Sequence, residues 1–110
     1  MIIIKLWIDD VRPALDKTWL TVHSVNQAKQ VIESMEYIHK VSNATFSLIE
    51  LIDIDHDAGE YVNDGGDFIR LLDWLEETGR NYPIRIHSMN PVGVANIRRI
   101  IERNGWKEIR

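Results

Sequence analysis

The sequence contains no cysteine among its 110 residues. This absence excludes a disulfide framework, a thiolate nucleophile and a thiolate metal site, and it is compatible with the reducing cytoplasm in which we expect the protein to reside. An excess of positive charge is missing as well, because 17 acidic residues outnumber 13 lysines and arginines and give a formal net charge of -4. We therefore expect no bulk binding of DNA through its phosphates.

Long apolar runs are also missing. The N-terminal apolar stretch is interrupted by Lys5 and ends at Asp9, well short of the roughly 20 residues that a membrane span requires. It has neither the charged start nor the small-residue cleavage site of a signal peptide. We therefore predict one domain over residues 1–110 with no membrane association, and the apolar content of 45% suffices for a single core. An oligomer is compatible with these observations.

The spacing of apolar residues predicts alternating strands and helices. Strands are expected at residues 2–8, 19–23, 47–54 and 84–87, with a short edge strand within 106–109. Helices are expected after Ser24, before Gly79 and from Asn90-Pro91 to Asn104-Gly105, where typical cap and stop residues lie. Residues 11–18 include a proline and are too few for a helical crossover. This order predicts a three-layer, flavodoxin-like α/β fold with a mostly parallel sheet of four or five strands, in which a loop replaces the first helix.

Three of the predicted strands end in polar side chains. They are Asp9 and Asp10 after the first strand, Asp55 and His56 after the central strand, and His87, Ser88 and Asn90 after the fourth. The carboxyl ends of parallel strands border the ligand crevice of an open α/β sheet. We therefore expect these three strand ends to meet at one site.

The acidic residues Asp9, Asp10 and Asp55 would repel one another at such a site. Two carboxylates about 4 Å apart repel by about 4 kcal/mol at an effective dielectric constant near 20. A hard divalent cation, Mg²⁺ or Mn²⁺, would neutralise them through oxygen ligands. The alternative is that one acid is protonated or pairs with Arg12.

Phosphate-binding groups lie next to the same strand ends. The helix start at Asn90-Pro91 offers free N–H groups and a positive dipole end to an anion, although Asn90 would cap the helix in any case. Arg12 is the expected phosphate clamp, because a guanidinium group binds two phosphate oxygens at once. Arg98, farther along the same helix, is either a second phosphate ligand or part of a solvated face.

Proton transfer and base stacking each have candidate residues with a structural alternative. His56 and His87 could act as general acid or base, and His56 could equally donate to a backbone carbonyl. Trp19 and Trp106 are either edges of the core or a platform for base stacking, and the core interpretation is favoured.

With these residues in view, the chain resembles response-regulator receiver domains. Their acidic pair after the first strand corresponds to Asp9 and Asp10, their phosphoacceptor aspartate to Asp55, and their Ser or Thr after the fourth strand to Ser88. The lysine that follows their fifth strand has no counterpart, because Lys107 precedes the possible last strand. Phosphoacceptor signalling at Asp55 is therefore the least favoured function.

The chain is more similar to a receiver-derived family described as cyclic-phosphate processing receiver-like domains, which occur in bacteria and their phages. The matching segments are Trp7-Ile-Asp-Asp-Val-Arg-Pro13, Asp55-His-Asp-Ala-Gly59, Asn63-Asp-Gly65 and His87-Ser-Met-Asn-Pro-Val-Gly93, together with Arg98. The resemblance implies a single receiver-like domain with a metal-assisted role on nucleotides or RNA ends that bear a cyclic phosphate.

The leading hypothesis is a hydrolase, a metal-dependent phosphoesterase whose ligand is a small nucleotide or the phosphate of an RNA end. Its Mg²⁺ or Mn²⁺ would be held by Asp9, Asp10 and Asp55. Its phosphate would be bound by Arg12, Ser88, Asn90 and Arg98. Its catalytic residues would be Asp55, His56, His87 and Ser88, with either water or Asp55 as the nucleophile. The alternative is a catalytically degenerate module that sequesters a nucleotide or docks on a protein.

Overall fold

Strands and helices alternate along residues 3–42 and 48–110, which are the part of the chain that the computed structural model describes. The elements are β1 (Ile3–Ile8), β2 (Trp19–Val22), α1 (Val25–Val41), β3 (Leu48–Ile54), a 3-10 turn (Gly59–Tyr61), α2 (Ile69–Glu77), β4 (Ile84–Ile86), α3 (Pro91–Asn104) and β5 (Glu108–Ile109). The predicted strand residues 2 and 47 lie outside the described residues.

The five strands form one parallel sheet in the order β2-β1-β3-β4-β5. The segment between β1 and β2 contains no helix. The predicted α/β class, the parallel sheet and the loop that replaces the first helix are therefore confirmed. No helix in the described residues is long and apolar enough to cross a membrane.

The core lies on one face of this sheet. Successive side chains of a strand point to opposite faces, so the core takes side chains from one face of each strand. The buried strand residues of the core include Leu6, Ile8, Ile52, Ile54 and Ile84. Buried residues of all three helices join the same apolar cluster, including Ile32 of α1, Leu72 of α2 and Ile97 of α3. Helix α2 packs against both α1 and α3. The helices thus form one layer on one face.

The prediction of three layers is therefore wrong, and the described residues form two. Parallel strands are joined by right-handed crossovers, so the face on which a helix packs depends on the direction in which the chain moves across the sheet. The crossovers through α1, α2 and α3 all move toward β5, whereas the connection from β1 to β2 moves the other way. A helix in that connection would have covered the second face, and a loop stands in its place.

The second face of the sheet carries aromatic and charged side chains. Trp7 of β1 lies in register with Asp53 of β3, which lies in register with Arg85 of β4. Trp7 is only 4% exposed, because Trp19 packs edge-on against it at 5.7 Å and its Nε1 donates to the Arg12 carbonyl at 2.8 Å. Trp19 thus belongs to this second face, whereas Trp106 lies in the core as predicted.

The predicted helix boundaries next to the strand ends are confirmed. The Ser24 hydroxyl accepts from the Gln27 N–H at 3.1 Å and caps α1. Asn90 caps α3 by accepting from the Gly93 N–H at 3.0 Å, and the helix ends at Gly105 with a φ of 68°. Both caps lie where a strand ends and a helix follows. They therefore fix the backbone at the edge of the sheet that carries the predicted site.

Candidate functional site

The acidic ends of β1 and β3 lie together. A carboxylate oxygen from each of Asp9, Asp10 and Asp55 lies within 4.8 Å of the other two. The sheet causes this meeting, because Ile8 and Ile54 are register partners and the Asp55 N–H donates to the Ile8 carbonyl at 3.0 Å. We call these three residues the acidic cluster.

Asp9 is the most enclosed member of the acidic cluster, with 1% of its surface exposed. Its Oδ1 accepts from the backbone N–H groups of Val11 at 2.9 Å and Arg12 at 2.8 Å. Burial opposes ionisation of Asp9, but these hydrogen bonds and the contact with His87 outweigh it, and the pKa of Asp9 is lowered. Asp9 is therefore an ionised carboxylate with a fixed orientation.

Asp10 has the opposite electrostatic balance. Burial raises the pKa of Asp10, and the neighbouring carboxylates of Asp9 and Asp55 raise it further. A Cβ placed on Gly59 would overlap the Asp10 carboxylate, so the turn after β3 lies directly against this side chain. Asp10 is thus held in a position where its charge is unfavourable unless a cation is nearby.

The third member of the acidic cluster, Asp55, has a carboxylate with fewer hydrogen bonds than that of Asp9. Its Oδ1 accepts from the His56 N–H at 2.8 Å, and its Oδ2 makes no hydrogen bond within residues 3–42 and 48–110. Mg²⁺ and Mn²⁺ prefer carboxylate oxygens as ligands, and a bound cation would relieve the repulsion among these three carboxylates. The chemistry of these donors therefore fits such a cation.

His87 bridges two buried carboxylates. Its Nε2 lies 2.8 Å from Asp9 Oδ2, its Nδ1 lies 2.6 Å from Asp53 Oδ1, and its ring stacks on Trp7 with centroids 3.8 Å apart. Both ring nitrogens of His87 therefore lie within hydrogen-bond distance of a carboxylate oxygen. His87 has no nitrogen left for a ligand, and this geometry favours a role in orienting Asp9 over the proton transfer expected from the sequence.

Asp53 and Arg85 extend this bridge across the sheet, and no sequence motif predicts that they join the site. Asp53 is 1% exposed and accepts from Arg85 Nε at 2.6 Å as well as from His87. The alternation of side chains along β3 places Asp53 on the opposite face from Ile52 and Ile54. Its pairing with Arg85 follows from the register of β3 and β4, which a single sequence does not contain.

His56, unlike His87, has one ring nitrogen without a hydrogen bond in the described residues. Its Nδ1 lies 2.9 Å from Asp57 Oδ1, and its Nε2 makes no hydrogen bond in the described part of the chain. A Cβ on Gly93 would overlap the ring of His56, so the first turn of α3 packs directly on it. A carboxylate on one nitrogen and a packed ring face orient the imidazole, which is the arrangement that a general acid or base requires.

The candidate phosphate ligands do not all meet. Ser88 lies at the start of α3 and its Oγ accepts from the Asn90 N–H at 3.1 Å, while the Asn90 side chain is used as the helix cap. The exposed guanidinium of Arg12 bonds to no side chain within the described residues, and the Arg12 backbone is held beside Asp9.

Arg98 is held away from these groups. It forms a forked ion pair with Glu108 of β5, with Nε and Nη2 contacts of 2.9 and 2.7 Å. Glu108 is the register partner of Ile84, at the start of β4, whereas His87 follows the end of that strand. The structure therefore does not bring Arg98 to the strand ends.

Comparison with known protein families gives one match. The model of a family described as the cyclic-phosphate processing receiver domain matches residues 4–103. Neither curated proteins nor solved structures gave a match to the chain. The family match spans β1 to the last turn of α3, and so it includes the acidic cluster, His56, His87 and Ser88.

Proposed function

The chain belongs to the cyclic-phosphate processing receiver domain family, and from this premise we propose that it is a metal-dependent phosphoesterase acting on nucleotides or RNA ends that carry a cyclic phosphate. The observation that carries the proposal is the acidic cluster, whose oxygen atoms lie within 4.8 Å of one another. Asp9, Asp10 and Asp55 would hold Mg²⁺ or Mn²⁺. Such a cation, when bound, polarises a phosphoryl oxygen and lowers the pKa of water.

The side chains around the acidic cluster would bind and orient the phosphate. Arg12 has an exposed side chain and donates its backbone N–H to Asp9, and Ser88 precedes the N-terminus of α3, where free backbone N–H groups favour an anion. His87 keeps Asp9 in place from the other side. Arg98 has no part in this arrangement, because Glu108 holds it elsewhere.

Hydrolysis of a cyclic phosphodiester needs two proton transfers. Water adds to phosphorus, one P–O ester bond breaks, and the products are a phosphomonoester and a free hydroxyl group. A proton must therefore leave the water and another must reach the departing oxygen. His56 Nε2 is the candidate carrier, with Asp57 orienting the ring. Asp55 is the alternative nucleophile, and its attack would give an acyl phosphate that water then hydrolyses.

One observation favours a second function, that of a binding module without turnover. Asn90 is used as a cap, His87 is bonded on both nitrogens, and Arg98 is paired with Glu108. Fewer side chains are therefore free for chemistry than the sequence indicated. A nucleotide would still be bound at the acidic cluster, but it would be retained unchanged.

An assay of turnover separates these functions. We expect the wild-type protein to open 2′,3′-cyclic nucleotides or cyclic dinucleotides in the presence of Mn²⁺ and to lose this activity in EDTA. The His56→Asn variant should be slower by about 10²- to 10⁴-fold, the usual contribution of a positioned acid or base, whereas Asp73→Asn on α2 should match wild type. Binding of these ligands with no product from any of them would contradict the phosphoesterase and support the binding module.

Phosphoacceptor signalling is tested separately. Because the chain has no counterpart of the receiver lysine, we expect Asp55 to stay unmodified after treatment with acetyl phosphate and Mg²⁺. Mass spectrometry of the peptide that contains Asp55 measures this directly. A stable phosphoryl group on that peptide would favour the signalling function over the phosphoesterase.

A further inference from the structure

Two aromatic side chains border the acidic cluster on the side of β2. His23, directly after β2, and Tyr61, in the 3-10 turn after β3, stack with ring centroids 5.4 Å apart and an angle of 19° between their planes. We call them the aromatic pair. Neither residue takes part in the proposed chemistry, and no local sequence pattern joins them, because 38 positions separate them along the chain.

The aromatic pair is attached to the acidic cluster through backbone and side-chain contacts. His23 Nδ1 lies 3.0 Å from the Asp9 carbonyl oxygen, and the Asp9 N–H donates to the Val22 carbonyl at 3.2 Å. On the other side, Gly59 begins the turn that holds Tyr61 and lies against the Asp10 carboxylate. The two rings are therefore fixed next to the carboxylates.

The turn that carries Tyr61 is also anchored at its far end. Asp64 accepts from the Ser24 hydroxyl at 2.5 Å and from the Asn26 side-chain amide at 3.1 Å, while its carbonyl accepts from the Asn26 N–H at 3.1 Å. The Asp64 N–H donates back to the Tyr61 carbonyl at 2.9 Å. The turn is thus held to the start of α1, and the position of Tyr61 is set before any ligand arrives.

Tyr61 is exposed more than a core aromatic would be. Tyr61 is 39% exposed, and its hydroxyl makes no hydrogen bond within the described residues. A rigid aromatic surface beside a site for a phosphate is the arrangement on which a nucleobase stacks, because every base has a π face and stacking tolerates different bases.

We propose that the aromatic pair binds the base of a nucleoside cyclic phosphate whose phosphate lies at the acidic cluster. This inference rests on the proposed function and specifies its substrate class. The ligand is a nucleoside derivative rather than a sugar cyclic phosphate without a base. Tyr61 provides the exposed stacking surface, and His23 supports it from the Asp9 side.

The test compares two ligands that differ only in the base. Adenosine 2′,3′-cyclic phosphate and methyl β-ribofuranoside 2,3-cyclic phosphate are titrated into the protein with Mn²⁺ in a calorimeter, and chromatography checks that both stay intact. Every protein in this experiment carries the His56→Asn substitution that slows turnover, so wild type here means wild type at every other position. The wild-type protein should bind the adenosine ligand about tenfold more tightly or better, and Tyr61→Ala should remove this preference, because stacking of one base supplies an effect of that size. Tyr61→Phe should retain it.

Tyr37→Ala is the matched control, since Tyr37 lies on α1 and is 67% exposed without contacting the site. It should bind both ligands as wild type does. Equal affinity of Tyr61→Ala and wild type for the adenosine ligand would overturn the inference. An equal loss of affinity for both ligands, or a loss of affinity for Mn²⁺, would also overturn it, because either result would indicate a displaced turn. If wild type binds neither ligand, the proposed function fails and the inference fails with it.

Discussion

Replacing His87 with alanine is expected to lower the free energy of unfolding by about 2 to 6 kcal/mol, because two buried carboxylates each lose a hydrogen-bond partner at a cost of about 1 to 3 kcal/mol. His87 is bonded to Asp9 and Asp53, which are each 1% exposed. Without the imidazole, two carboxylates remain buried with fewer partners, and Trp7 loses the ring that stacks on it. Urea unfolding followed by tryptophan fluorescence measures the change.

Arg103→Ala is the control for this prediction. Arg103 forms a forked ion pair with Glu76, with two contacts of 2.9 Å, but its side chain is 59% exposed. Water and salt screen such a pair, so we expect its loss to lower the free energy of unfolding far less than His87→Ala does. Similar losses in His87→Ala and Arg103→Ala would contradict the view that His87 bridges two buried carboxylates.

Gly59→Ala is expected to weaken Mn²⁺ binding by at least about tenfold, because each 1.4 kcal/mol of lost interaction is a factor of ten in affinity. Gly59 has a φ of 54°, and an added Cβ would overlap the Asp10 carboxylate. The carboxylate must then move away from its position between Asp9 and Asp55. Mn²⁺ titration by calorimetry measures the affinity, and thermal unfolding reports the accompanying strain in the backbone.

Gly79→Ala is the control that separates the backbone strain caused by an added methyl group from its contact with Asp10. Gly79 has a φ of 70°, and no atom lies within 4 Å of the position that its Cβ would occupy. Alanine there should cost the same backbone strain, about 1 to 2 kcal/mol, without touching the acidic cluster. We expect Gly79→Ala to bind Mn²⁺ as wild type does. Unchanged Mn²⁺ affinity in Gly59→Ala would show that the contact with Asp10 has no role in the site.

Local sequence patterns were sufficient to predict the elements and the edge of the sheet where polar residues gather. Apolar periodicity and the caps at Ser24 and Asn90 act within a few residues, so the strands and helices next to them follow from the sequence. The expectation that Asp9, Asp10 and Asp55 would meet required only that β1 and β3 be parallel neighbours. The structure brings these three residues together.

Contacts between distant strands were beyond the reach of those patterns. The bridge from Asp9 through His87 to Asp53 depends on the register of β3 with β4 and on a face of the sheet that no helix in the described residues covers. The stack of His23 on Tyr61 depends on how the turn after β3 folds over the end of β2. Arg98 matched a family motif, yet Glu108 on the neighbouring strand β5 holds it.

The central claim is that Asp9, Asp10 and Asp55 form one site for a divalent cation. The Asp10→Asn variant is well suited to test it, because this substitution removes a negative charge that a cation would need and that the neighbouring carboxylates disfavour. Burial and the neighbouring carboxylates of Asp9 and Asp55 raise the pKa of Asp10, so its ionised form destabilises the folded protein at neutral pH. The metal-free variant should therefore be at least as stable as wild type, and any loss of metal binding would not reflect unfolding.

Calorimetric titration of Mn²⁺ into wild type, Asp10→Asn and Asp73→Asn is the most direct measurement. Asp73 lies on α2, outside the acidic cluster, and its replacement makes the same change in charge. We expect one Mn²⁺ to bind wild type and Asp73→Asn with equal affinity, and Asp10→Asn to bind at least about tenfold more weakly, a loss of 1.4 kcal/mol or more. Equal affinity in wild type and Asp10→Asn would contradict the account.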